Sequence, residues 1–70
     1  DLMNLGHIEW SLGNKKDAIE SYRQSIKKSK HDYEWFTRVF EEDKKYLLKN
    51  GIHPFDTILM LDYLKITEIS

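Results

Sequence analysis

The chain has no cysteine, a single proline and three glycines in 70 residues, and neither sign of charge prevails. Without cysteine there is no disulfide and no thiolate metal site. That exclusion matters at this length, because below roughly 70–80 residues packing alone leaves only a few kcal/mol of net stability. Lys and Arg number 11 against 12 Asp and Glu, a formal net charge of −1. No basic surplus exists to neutralise a run of phosphates, so nucleic-acid binding is not expected. Long apolar runs are missing too. The longest, Ile58 to Leu61, is far too short to cross a bilayer, and no membrane role is expected. No basic-then-apolar leader opens the chain, which leaves a cytoplasmic setting as the default expectation. The first residue is Asp1 and not methionine, which reads as a segment of a longer protein.

A strand pattern is also lacking. Val, Ile and Thr are scattered, and no tight turn is flanked by alternating residues. Helical periodicity is what remains, and it divides the chain into four segments. The first runs from Leu2 to about Leu12, with Leu2, Leu5, Ile8 and Leu12 forming an apolar stripe at helical spacing. Gly13 follows, suited to the left-handed conformation that closes a helix. Asn14 is the expected N-cap of the second segment, with Asp17 three residues on, close to a capping box. Its stripe is Ile19, Tyr22 and Ile26, flanked by Ala18. Lys27, Lys28 and Lys30 gather where the last carbonyls favour cations.

Asp32 is the expected cap of the third segment, which continues to about Asn50. Trp35, Phe36, Val39, Phe40, Tyr46 and Leu47 make a broad apolar band. Glu34 with Arg38 and Glu41 with Lys45 are four apart in the favourable order. Asn50-Gly51 stops this segment, and Pro54 suits the first turn of a fourth, reaching about Ile66. Phe55, Ile58, Leu59, Met60, Leu61, Tyr63, Leu64 and Ile66 leave that helix almost no polar face. A helix apolar nearly all round is buried on most sides, and four helices of this length contain too little protein to cover it. The expected class is all-α, with two consecutive antiparallel helix hairpins.

The stretch from Asn4 to Ile26 resembles a tetratricopeptide repeat. Leu5-Gly6 in the first helix, Gly13-Asn14 in the turn, and Ala18, Tyr22 and Ser25 in the second helix carry the resemblance. Their physical sense is that Gly6 and Ala18 let two antiparallel helices approach closely, Tyr22 fills the space beside them, and Gly13 permits the turn. Glu9 departs from the pattern, standing where the family has a large aromatic or apolar residue. Lys30 departs as well, replacing the proline that often closes the second helix. The resemblance fades after residue 30, because the same pattern would place Phe40 where a small residue belongs. The organisation that follows is a repeat-like hairpin over 1–30 and a divergent hairpin or capping element over 31–70, a fragment of a right-handed superhelix.

The resemblance implies a scaffold that binds a protein or peptide along the concave surface lined by first helices. The outward candidates there are Met3, His7, Trp10 and Ser11, with His31 and Asp32 at the junction into the third helix. Phe55, Leu59, Met60, Tyr63 and Leu64 form the expected apolar association face, meeting further repeats of the parent chain or a second copy. A structural cap that ends a longer array is the alternative reading, and an independent module holding a small apolar ligand between its hairpins is a third.

Chemistry is not expected. His7, His31 and His53 lie in different elements, without the three- or four-residue spacing of metal ligands on one helix face, and read as surface or loop residues. Glu41, Glu42 and Asp43 are consecutive and so point in different directions. Asp43 and Asp62 fall within apolar bands. Each reads as a structural contact, to Trp35, Tyr46 or Tyr63, or as exposed at the band's edge. No nucleophile motif, phosphate loop, metal site or cofactor site is expected, and the chain is read as a non-enzyme.

Overall fold

Helix ends fix the layout. The computed structural model describes the backbone of residues 1–69 and the side chains of residues 1–67. It contains four α-helices: α1 Leu2–Ser11, α2 Lys15–Lys28, α3 Tyr33–Lys49 and α4 Pro54–Ile69. Among the described residues there is no strand. The all-α expectation holds, and the breakers lie where sequence placed them.

Three of the helices stop in the same way. At the end of α1, Gly13 N–H donates to the Trp10 carbonyl and Asn14 N–H to the Glu9 carbonyl, with Gly13 at φ +88°. After α3, Gly51 and Ile52 donate to Leu48 and Leu47, with Gly51 at φ +94°. After α2, Lys30 and His31 donate to Lys27 and Ile26. Each pair of bonds is the Schellman arrangement, which satisfies carbonyls the helix leaves open and needs a left-handed residue just past its end. Lysine fills that place once, with Lys30 at φ +59° followed by His31 at +62°. Proline cannot adopt a positive φ, so the backbone at Lys30 is one that proline could not take.

The starts differ more. Asp1 and Asp32 cap α1 and α3, their Oδ1 atoms accepting from Asn4 N–H at 2.8 Å and Trp35 N–H at 2.9 Å. Asn14 occupies the cap position of α2, but its side chain makes no capping bond there, so the capping-box expectation fails. At α4, His53 supplies the missing acceptor: its Nδ1 receives the Phe55 N–H at 3.0 Å. The Glu41 carboxylate pairs with Lys44 at 3.0 Å and not, as the four-residue spacing suggested, with Lys45.

α1 and α2 form the tightest pair. Gly6 faces Tyr22, Glu9 receives the Ser21 hydroxyl at 2.5 Å, and Leu2 lies near Ser29. Numbers that rise along one helix fall along the other, so the two run antiparallel. A Cβ at Gly6 would stand 2.5 Å from Tyr22 Cε1 and 2.7 Å from Cδ1. Glycine is required there by the aromatic ring lying on the backbone. Ala18 is fully buried in the same hairpin. Glu9 is accommodated beside this hairpin because Ser21 gives its carboxylate a partner.

Tyr22 is the hub of the core. Its ring lies edge-on to His7, Phe40, Phe36 and Trp10, with centroids 5.4, 5.6, 5.8 and 6.4 Å away. Such edge-to-face pairs contribute about 0.5–1.5 kcal/mol each beyond their burial. Phe40, too large to copy Gly6 in the second hairpin, turns instead toward the first and is wholly buried against His7 and Tyr22. Tyr33 ties α3 to α4 by donating its hydroxyl to the Leu61 carbonyl. Ile26, Leu47, Met60, Leu61 and Leu64 complete the interior. The overall extents are 29 × 19 × 19 Å, room for two helix layers at about 8–10 Å between axes. Every helix therefore keeps one face toward solvent.

Candidate interaction surfaces

The rotation of α1 decides what the molecule presents. Gly6 must face Tyr22, and residues three or four away share its side of the helix. Met3, His7 and Trp10 are consequently buried, while Leu5, Ile8 and Leu12 point outward with exposures of 44, 46 and 73%. This reverses the sequence-based assignment of both faces. Met3, His7 and Trp10 are core residues, and Ser11 is half-buried with its hydroxyl lacking a partner. His31 and Asp32 are exposed, with Asp32 occupied in capping α3. The six candidates do not form one surface. Gly6 was the signal that could have prevented the error, since a glycine kept for a close crossing marks its own face as the inner one.

A polar chain runs through the core beside these residues. His7 Nδ1 lies 2.7 Å from the Tyr22 hydroxyl, and His7 Nε2 lies 3.5 Å from Asp43 Oδ2 on α3. The neutral ring places its proton on Nε2, because a lone pair there would face a carboxylate. Nδ1 then accepts from Tyr22. At 3.5 Å the carboxylate lies beyond the usual N–H···O distance, and buried Nε2 has no closer partner. Burial lowers the His7 pKa from its ordinary value, opposed in part by the Asp43 charge. Burial also raises Tyr22 well above the ordinary tyrosine value, with smaller contributions from Glu9 and Asp43. Both groups are neutral at physiological pH. Asp43 thus faces His7 and not Trp35, Tyr46 or Tyr63, while Asp62 is exposed at the edge of its band.

The last helix divides between the interior and solvent. Of its expected association face, Met60 and Leu64 are buried core residues, whereas Phe55, Leu59 and Tyr63 are exposed. Ile58 and Ile66 extend the exposed set. Ile19 of α2 joins Leu59, Tyr63 and Ile66 in a shallow groove, with Lys15 on the α2 side and Asp62 on the α4 side. Arg23 packs its guanidinium over the Tyr63 ring, 5.6 Å from the centroid, bracing α4 against α2. The apolar surfaces of α1 and α4 are separate, since the described residues of those two helices make no close approach.

Among the described residues no three His, Asp or Glu side chains gather in a way that could hold a metal ion. None of the described helices is long and apolar enough to cross a membrane. Set against protein-family models, curated proteins and solved structures, the chain matches none.

Proposed function

We propose that the chain is a protein-interaction module of tetratricopeptide type, part of a helical array whose outer faces on α1 and α4 each receive another helix. The carrying observation is the pair of unpartnered apolar surfaces, Leu5, Ile8 and Leu12 on one side and Phe55, Ile58, Leu59, Tyr63 and Ile66 on another. Repeat units bury such faces by stacking, and about three repeats are generally needed for stability. The occupants would be further repeats of a parent chain, a second copy or a partner protein. The nested Gly6–Tyr22 crossing supports the family reading, because it gives the small residue the use the repeat pattern implies. A structural cap is the rival. Caps keep a polar outer face, and an α4 with five exposed apolar side chains argues against that role at this end.

Catalysis has no place in this reading. His7, Tyr22 and Asp43 join three helices, and the histidine nitrogen turned toward Asp43 is closed to solvent. Sedimentation velocity over a concentration series tests the proposal, with I8E and L59E as variants of exposed residues. Reversible association by the parent chain, weakened in either variant, is expected. A strictly monomeric protein that binds no apolar dye would refute it.

A further inference from the structure

The seam between α1 and α3 is closed by one side chain that is both buried and titratable. His7 is 2% exposed, yet it forms one side of a solvent-open groove with Asn4, Ile8, Asp43 and Tyr46. It packs against Phe40 with ring centroids 5.3 Å apart, and its two nitrogens face α2 and α3. We propose that His7 is a proton-operated latch, closing the groove between α1 and α3 while its ring is neutral and buried, and turning out into that groove when the ring takes up a proton. The latch stands independently of what binds the outer faces.

The chemistry follows from the two contacts. A second proton must go to Nδ1, the atom that accepts from Tyr22. The Tyr22 hydroxyl then loses its acceptor in a site closed to water, which costs as an unsatisfied buried donor. The cation also loses its hydration. Asp43 is the charged group that answers it, and from 3.5 Å it does so in part. From α3, Glu42 and Lys45 also line the groove, with opposite charges. Glu9 on α1 accepts from Ser21, and α2 contributes the neutral Tyr22. None of the described residues of α4 lines the groove. The short way to water for a charged ring is outward through this groove. That movement costs Tyr22 its hydroxyl acceptor and one edge-on neighbour, while the close contact of its ring with the Gly6 backbone does not run through His7.

Nuclear magnetic resonance of the 70-residue chain, followed from about pH 8 to pH 4.5, tests the latch. The His7 Cε1–H signal should titrate below the ordinary histidine value of about 6.5. The ring signals of Phe40 and Tyr22 should move with it while far-UV circular dichroism keeps its helical form. One-proton linkage limits the rise of the opening constant to about tenfold per pH unit. H7Q should remove the acid response. Should H7Q fail to fold, D43N supplies the second arm: without the carboxylate the charged ring is held less well, so opening at pH 5 should exceed that of the parent. The latch is overturned if Phe40 and Tyr22 do not respond, if H7Q responds like the parent, if D43N does not increase opening, or if helicity is lost in step with His7.

Discussion

Gly6 carries more of the structure than any other single residue. Its missing side chain lets the Tyr22 ring lie on the α1 backbone, and the ring then gathers His7, Trp10, Phe36 and Phe40. G6A should destabilise the fold by about 1–3 kcal/mol, the usual cost of overpacking, seen as a lower urea midpoint. The glycine φ is not positive, so the loss is a steric one against Tyr22 alone. The opposite sign is expected at Lys30, where a left-handed backbone costs a non-glycine residue about 1–2 kcal/mol. K30G relieves that cost but gives back about 0.5–1 kcal/mol in chain entropy. A gain of up to about 1.5 kcal/mol in chemical denaturation is the outcome. His7 sets the pH dependence. Its pKa is lower folded than unfolded, so the unfolded chain binds the proton first as pH falls. Stability is complete above about 6.5 and declines below it until the folded ring also titrates; urea midpoints at pH 7.5 and 5.5 check the direction.

The elements were largely legible in sequence. Gly13, Asn50-Gly51 and Pro54 are local punctuation, and they place three of the helix ends within a residue or two. The caps Asp1 and Asp32 work through bonds three residues away, and D32A should cost about 0.5–2 kcal/mol in α3 stability, measured by thermal melting. What was not legible is rotation about the helix axis. In α1, Leu5, Ile8 and Leu12 form as regular a stripe as Met3, Gly6, His7 and Trp10. Hydrophobicity favours the leucines, yet the ring of Tyr22 claims the glycine side. The choice belongs to tertiary packing, which a single helix does not encode. The same holds for Met60 and Leu64, whose burial depends on how α4 lies across α2 and α3 in a helix apolar on every side. His7 was read as a surface residue because its two partners, 15 and 36 positions away, are visible only after the helices meet.

At the scale of the whole molecule, a nested first hairpin supports a second one that is joined less closely. α2 and α3 each touch all three other helices, while α1 and α4 lie apart and each keep an apolar outer face. This asymmetry underlies both the interaction proposal and the latch, since each requires the α1–α2 pair to persist while its surroundings change. Native-state amide hydrogen exchange reads that hierarchy residue by residue. The amides of Ala18 to Ile26, packed against the Gly6 crossing, should be the slowest in the chain, and those in the outer half of α4 the fastest among the helices. Slowest exchange in α4, or uniform exchange across all four helices, would contradict the account.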